Sequence, residues 1–78
     1  MDISVIVVNW NAGSVLEDCL RTIIRELEMV AGECLVVDNG SQADEVQRLQ
    51  QRFPQITLLA NSQNLGFARA VNQGIRRS

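Results

Sequence analysis

The sequence contains no histidine and only two cysteines, Cys19 and Cys34, among its 78 residues. A zinc site needs clustered cysteine or histidine ligands, so this composition predicts that the chain forms none. Because no secretory feature is present, both cysteines are predicted to be buried free thiols on apolar faces of different elements, and a disulfide is the less favoured alternative.

Long hydrophobic runs and a basic surface are also missing. The apolar runs fall far short of the roughly 20 residues that span a bilayer. The start of the chain lacks the basic segment and apolar core of a signal peptide. The formal net charge is −2, and three arginines near the end are the nearest approach to a basic patch. These features predict a cytoplasmic protein that does not bind nucleic acid.

Glycine-rich phosphate loops are absent as well. Neither G-x-G-x-x-G nor a Walker lysine motif occurs among the five glycines. The segment Asn11-Ala12-Gly13 is too poor in glycine for the close pyrophosphate approach that dinucleotide-binding proteins use. With no histidine, no thiol–base pair and no two carboxylates expected at one site, the sequence predicts no catalytic residues and favours binding.

What the chain has is three short apolar segments separated by amphipathic ones. Residues 3–8, 34–37 and 56–60 are predicted strands, and the first two have the composition of strands buried on both faces. The helical segments between them predict right-handed crossovers and a parallel β-α-β-α-β-α sheet covered on both faces, a three-layer α/β sandwich. One domain is predicted over residues 1–78. A complete doubly wound domain usually has more strands, so we expect a piece of a longer protein.

The first predicted helix follows Gly13. Ser14 and Glu17 fit a capping box, in which Ser14 is the N-cap and the Glu17 side chain reaches back to the backbone. An apolar stripe then continues at helical spacing and predicts the buried face of this helix. Its members are Leu16, Cys19, Leu20, Ile23, Ile24 and Leu27.

The other two helices are predicted from similar signals. Ser41 or Asp44 is expected to cap the second helix, and Pro54 ends it because proline cannot continue a helix interior. The third helix begins near Asn64. Its inward-facing residues are predicted to be Ala68, Val71 and Ile75.

Polar residues follow the first two predicted strands, at the edge of a parallel sheet where ligands bind. Asn9 and Asn11 lie on either side of Trp10, and asparagine side chains either hold a turn or bind a ligand. The indole of Trp10 either packs over a planar base or packs at the rim of the core. Asp38 is placed to accept hydrogen bonds from a base N–H or a ribose hydroxyl. The alternative is that Asp38 and Ser41 form a turn and cap the next helix.

A third polar cluster, Asn64-Leu65-Gly66-Phe67-Ala68, feeds a helix N-terminus, where backbone N–H groups favour anions. Gly66 is predicted to supply either a positive φ or a close backbone approach. Arg69 is expected to remain solvated, and a phosphate contact is the alternative.

Taken in order, these motifs resemble the opening of a family-two glycosyltransferase of the GT-A fold. The matching segments are Val5-Ile6-Val7-Val8-Asn9-Trp10-Asn11, Val36-Val37-Asp38-Asn39-Gly40-Ser41 and Asn64-Leu65-Gly66-Phe67-Ala68, with Asn72 and Gly74. The resemblance is to rhamnosyltransferase-like members that build bacterial surface polysaccharides. It implies the N-terminal nucleotide-binding half of a GT-A (Rossmann-like) domain. It also implies inverting sugar transfer from a UDP- or dTDP-sugar to an acceptor hydroxyl.

The resemblance also implies which residues form the donor pocket. Asn9, Trp10 and Asn11 would line it. Asp38, with Asn39 and Ser41 beside it, would bind the base or ribose. The loop with Asn64 and Gly66 would close the far wall. Many members carry arginine where this chain has Val71, so an arginine contact to the base is not expected here.

The family's Asp-x-Asp metal site is expected past Ser78, so a divalent ion (Mg or Mn) is expected only in the full-length protein. This chain alone is therefore predicted to be inactive. In the family the first strand neighbours the metal-site strand, so residues 3–8 are expected to form an exposed edge that drives self-association. The full-length protein is expected in the cytoplasm, with the inner face of the membrane as an alternative. The competing hypothesis is a non-catalytic Rossmann-like nucleotide-binding or interaction module.

Overall fold

The computed structural model describes residues 2–78 and contains a three-stranded parallel sheet with helices between its strands. The strands are β1 (Asp2–Asn9), β2 (Ala31–Asn39) and β3 (Thr57–Asn61), and the helices are α1 (Ser14–Leu27), α2 (Ala43–Arg52) and α3 (Phe67–Arg77). The sheet order is β1-β2-β3, with both pairs parallel. The predicted β-α-β-α-β-α architecture is confirmed.

Side chains alternate across the central strand and separate the helices into two layers. Cys34 and Val36 of β2 are buried in the core beneath α1 and α2. The helical residues of that core are Leu16, Leu20, Leu49 and Phe53. Leu35 and Val37 are fully buried on the other side of β2, the side that α3 covers. The helices therefore cover both faces of the sheet.

Helix α3 packs closely against β1. A Cβ built on Gly74 would lie 2.5 Å from Cγ2 of Ile6, so only glycine fits here without a shift. The buried residues of α3 are Ala70 and Gly74. The predicted inward face was therefore wrong: Ala68 and Ile75 are exposed and Val71 is half-buried. Small residues face the sheet because they let the helix backbone approach it.

The helix caps also differ from the predicted ones. Gly13, with a φ of 58°, is the N-cap of α1, and Ser14 is the first helical residue. The Glu17 side chain is buried and accepts a hydrogen bond from Nη1 of Arg52 at 2.8 Å, so it does not form the predicted capping box. The N-cap of α2 is Gln42 instead of Ser41 or Asp44.

The two cysteines are both free but differ in exposure. Cys34 is buried, and burial together with the neighbouring Cys19 raises the pKa of its thiol above the ordinary value. Cys19 is exposed, which corrects the prediction of two buried thiols. Leu16 and Leu20 of α1 take the buried positions, and Cys19 lies beside them on the solvent side.

Strand β1 lies at one edge of the described sheet, since β2 pairs with it on one side only. Ile3 is 40% exposed, and Val5 to Val8 are half-buried although they belong to an almost wholly apolar strand. The edge position is what the self-association prediction requires. Self-association itself stays a prediction.

Candidate functional site

The polar residues that end the strands lie side by side, as predicted. Asn9 at the end of β1 pairs in register with Asp38 of β2, and Asn39 of β2 pairs with Asn61 of β3. Asn9, Asp38 and Asn39 are almost completely buried, with exposures of 1%, 0% and 2%. Because buried polar groups must be hydrogen-bonded, their partners define the site.

The first network surrounds the side-chain amide of Asn9. Its Nδ2 lies 2.8 Å from Oδ1 of Asp38, 3.0 Å from Oε2 of Glu45 and 3.2 Å from Oγ of Ser41. An amide nitrogen has two hydrogens, so three oxygens compete for two donors. Two carboxylates therefore meet at one atom, which corrects the expectation that no two carboxylates share a site.

Glu45 is the member of this network that sequence reasoning missed. It lies in the first turn of α2, and that helix begins at the edge of the sheet where β2 ends. The signal that could have found Glu45 is its position in the chain. The first turn of a helix that follows a strand lies at the carboxyl edge of the sheet, where its side chains meet the ends of the strands. The sequence gives no sign of which first-turn side chain points inward.

The loops that follow β1 and β2 are joined by hydrogen bonds. The backbone N–H of Ser41 donates to Oδ2 of Asp38 at 2.9 Å, which is the turn that the alternative for these two residues describes. The Ser41 hydroxyl in turn accepts the backbone N–H of Asn11 at 2.8 Å. The Gln42 N–H donates to Oδ1 of Asn11 at 3.3 Å. Asp38 and Ser41 thus position the exposed loop at Asn11.

A second network is built on Asn39 and holds the loop between β3 and α3. Its Nδ2 donates to Oδ1 of Asn64 at 2.9 Å, and its Oδ1 accepts the backbone N–H of Leu65 at 2.9 Å. The Asn64 Oδ1 also accepts the N–H of Gly66 at 2.8 Å. Gly66 has a φ of 87° with nothing near its missing Cβ, so the positive φ is what requires glycine there.

Gly40 lets these two loops come together. Its φ is 92°, and a Cβ built on it would lie 2.7 Å from the carbonyl carbon of Gln63 and 2.8 Å from the nitrogen of Asn64. Both the backbone conformation and the contact exclude a side chain. The turn after β2 therefore packs directly against the loop after β3.

The predicted site residues thus divide into a buried set and an exposed set. Asn9, Asp38 and Asn39 form the buried set, and the Ser41 side chain is half-buried beside them. The exposed set is Trp10, Asn11, Asn64 and Gly66. Trp10 is 58% exposed, which leaves much of its indole open at this edge. A cleft of about 450 Å³ lies alongside, between α2 and the end of β3.

The described residues do not fit a metal ion. Between residues 2 and 78, no three histidine, cysteine or acidic side chains come close enough together to hold one. Asp38 and Glu45 converge, but both accept hydrogen bonds from Asn9. What the arrangement offers is a planar aromatic surface, amides and backbone groups, which suit a polar organic ligand.

Comparison with known proteins decides the family. The profile of glycosyl transferase family 2 matches residues 4–78, nearly the whole chain and all three polar motifs. The chain belongs to this family. The chain is similar to two proteins called N-acetylglucosaminyl-diphospho-decaprenol L-rhamnosyltransferase. They come from Mycobacterium tuberculosis strains CDC 1551 / Oshkosh and ATCC 25618 / H37Rv. Each is 35% identical to this family 2 chain over 71 residues.

The matched region is nearly all of this chain but a small part of each mycobacterial protein. It takes in 91% of this family 2 chain but only 23% of each mycobacterial protein, so the chain spans about a quarter of the length of these relatives. The likeness therefore concerns 71 aligned residues and leaves about three quarters of each mycobacterial protein unmatched. Across residues 2–78, no helix is long and apolar enough to cross a membrane.

Proposed function

We propose that this chain is the donor-nucleotide-binding part of an inverting glycosyltransferase. The donor is a UDP- or dTDP-sugar, the acceptor group is a hydroxyl, and the pathway is bacterial surface polysaccharide synthesis. Membership of glycosyl transferase family 2 supports sugar transfer as the reaction. The name of the mycobacterial relatives, a rhamnosyltransferase acting on a diphospho-decaprenol, supports a lipid-linked acceptor.

The observation that carries the proposal is the layered edge of the sheet. Buried amides and a carboxylate fix the strand ends, and above them lie the exposed Trp10, Asn11 and Asn64. In this arrangement the base stacks on the indole of Trp10 and hydrogen-bonds to the exposed asparagines. The carboxyl edge of an open parallel sheet is where such ligands bind.

Asp38 has a more constrained role than the exposed residues. Each of its carboxylate oxygens accepts one internal hydrogen bond and keeps a second lone pair. Because the side chain is fully buried, a contact with base or ribose requires the Ser41 turn above it to shift. In the resting arrangement Asp38 positions the loop that contacts the ligand.

The chemical step is assigned to residues outside this chain. The catalytic base and the divalent ion are both expected only in the full-length protein. We expect the chain alone to be inactive and the full-length enzyme to work in the cytoplasm, at or near the inner face of the membrane.

An amide chemical-shift titration of this chain tests the proposal. We expect uridine and thymidine diphosphates to shift Trp10, Asn11 and the segment 64–66, in the presence or absence of magnesium. Nicotinamide adenine dinucleotide is the comparison ligand and should bind more weakly. A folded spectrum that no nucleotide perturbs would favour the interaction module instead.

A further inference from the structure

The modest net charge of this chain hides a strong segregation of charge. Residues 1–45 hold all nine carboxylates and two arginines, a formal charge of −7. Residues 46–78 hold the other five arginines and no carboxylate, a formal charge of +5. Such an asymmetry between the two parts of a chain points to an anionic partner for the basic part.

Two of these five arginines already have a partner. Arg52 contacts the buried Glu17 at 2.8 Å, and Arg48 lies 3.9 Å from the same carboxylate. The remaining three belong to α3, a helix without any acidic residue. Among the side chains described, no carboxylate forms an ion pair with Arg69, Arg76 or Arg77.

Two of the α3 arginines line one cleft. Its volume is about 260 Å³, and its lining residues are Leu65, Arg69, Asn72, Gln73 and Arg76. Residues three and four positions apart lie on the same side of a helix, so this spacing puts both guanidinium groups and the Asn72 amide along one wall. Gln73 is held in place, because its amide exchanges two hydrogen bonds with Asn61 at 2.8 and 3.0 Å.

The dimensions and the donors of the cleft restrict its ligand. Whole-ligand pockets usually measure about 300–1,000 Å³, so this cleft suits one group of a ligand better than a complete nucleotide. Two guanidinium forks and the Asn72 amide are donors that match phosphate oxygens, and Gln73 keeps one N–H beyond the one it donates to Asn61. Leu65 connects the cleft to the loop that Asn39 holds, at the edge where the nucleotide is proposed to bind.

We propose that the α3 cleft between Arg69 and Arg76 binds a phosphate or diphosphate group. Arg69 is exposed, as expected, and the proposal takes up the phosphate contact that the sequence left as the alternative. The phosphate chemistry is common to a nucleoside diphosphate and to a phosphate-bearing lipid. The cleft therefore adds an anion site to the chain that is separate from the stacking surface of Trp10.

A titration with inorganic pyrophosphate tests the cleft without any nucleotide. We expect shifts at the side-chain Nε–Hε groups of Arg69 and Arg76 and at the Asn72 amide. Arg69→Gln and Arg76→Gln should each weaken binding by about tenfold or more, since each removes a charge-assisted hydrogen bond. Arg77→Gln is the matched control, because it removes the same charge from the same helix at a residue that does not line the cleft.

Two further pairs of ligands identify the source of the phosphate. Uridine diphosphate compared with uridine reports on a nucleotide, and phosphatidylglycerol vesicles compared with phosphatidylcholine vesicles report on a lipid. Cleft shifts with either phosphate-bearing member support the site. Absence of pyrophosphate shifts in the cleft overturns it, and so does equal weakening by Arg77→Gln. If uridine diphosphate shifts only the Trp10 edge, and neither pyrophosphate nor phosphatidylglycerol shifts the cleft, the cleft proposal fails while the proposed function stands.

Discussion

The two faces of the sheet are packed in different ways. Beneath α1 and α2 the core consists of large side chains such as Leu20 and Phe53, and buried Glu17 joins arginines of both helices. Under α3 the contact depends on the absence of large side chains, because Ala70 and Gly74 let the helix backbone approach β1. One face is therefore stabilised by the volume of its buried side chains, and the other by the close approach of a helix to the sheet. Among the described side chains, the arginines of α3 form no ion pair, in contrast to those of α1 and α2 that contact Glu17.

The largest effect is expected where volume is removed from the first face. Leu20 is fully buried, so Leu20→Ala should lower the free energy of unfolding by about 2–5 kcal/mol. Urea unfolding followed by circular dichroism measures this. Val15→Ala, at an exposed position of the same helix, should change stability by less than about 0.5 kcal/mol. Similar losses for the two variants would contradict the assignment of the core.

A larger side chain at Gly74 tests the packing of α3 on the sheet. Gly74→Ala places a methyl group against Ile6, and we expect a loss of about 1–3 kcal/mol despite the better helix propensity of alanine. The double variant Gly74→Ala/Ile6→Ala should show favourable coupling between the two changes, because the clashing side chain is gone. A stabilising Gly74→Ala substitution would show that α3 has room to move away from β1.

A smaller effect is expected from the ion pairs across the first face. Glu17→Gln removes the carboxylate that Arg52 contacts, but the arginine side chains are more than half exposed to solvent at 55% and 57% for Arg21 and Arg52. The loss should be about 1 kcal/mol or less and should shrink in 1 M NaCl. The control is Glu26→Gln, an exposed carboxylate on the same helix that forms none of the described ion pairs. A loss that is insensitive to salt would show that the Glu17 side chain matters through packing.

The smallest change in folding stability is expected from a substitution in β1, the strand at the edge of the sheet. If β1 pairs with a second copy, Ile3→Lys should reduce self-association in sedimentation velocity and leave the urea midpoint almost unchanged. Val30→Lys is the control, since Val30 is exposed but does not lie in a strand. A mass that stays monomeric over a wide range of concentrations would contradict pairing through β1.

The fold was largely predictable because strand composition and helix periodicity are local signals. The amino end of β2 was missed, since Ala31, Gly32 and Glu33 are exposed and lack the large apolar side chains that mark a buried strand, although they pair with β1. The inward face of α3 was missed for a related reason. Large apolar residues usually mark a buried face, but here close approach selects Ala70 and Gly74.

For the candidate site, the meeting of the strand ends was predictable from topology alone. The partners of each polar group were not. Glu45 reaches Asn9, and Gln73 reaches Asn61, across elements whose relative placement depends on packing. The role of Asp38 in holding the Ser41 turn was present only as an alternative, because turn formation and ligand binding call for the same residue types.

The contact at Gly40 bears on how this family 2 domain can vary between species. A side chain at position 40 meets the backbone of Gln63 and Asn64, and no rotamer can relieve that contact. A lineage can therefore replace Gly40 only after the segment at 63–64 has been rebuilt. If Gly40 is replaced first, the intermediate protein contains the backbone clash and is destabilised. The substitutions tolerated in the turn after β2 therefore depend on the conformation of the loop after β3.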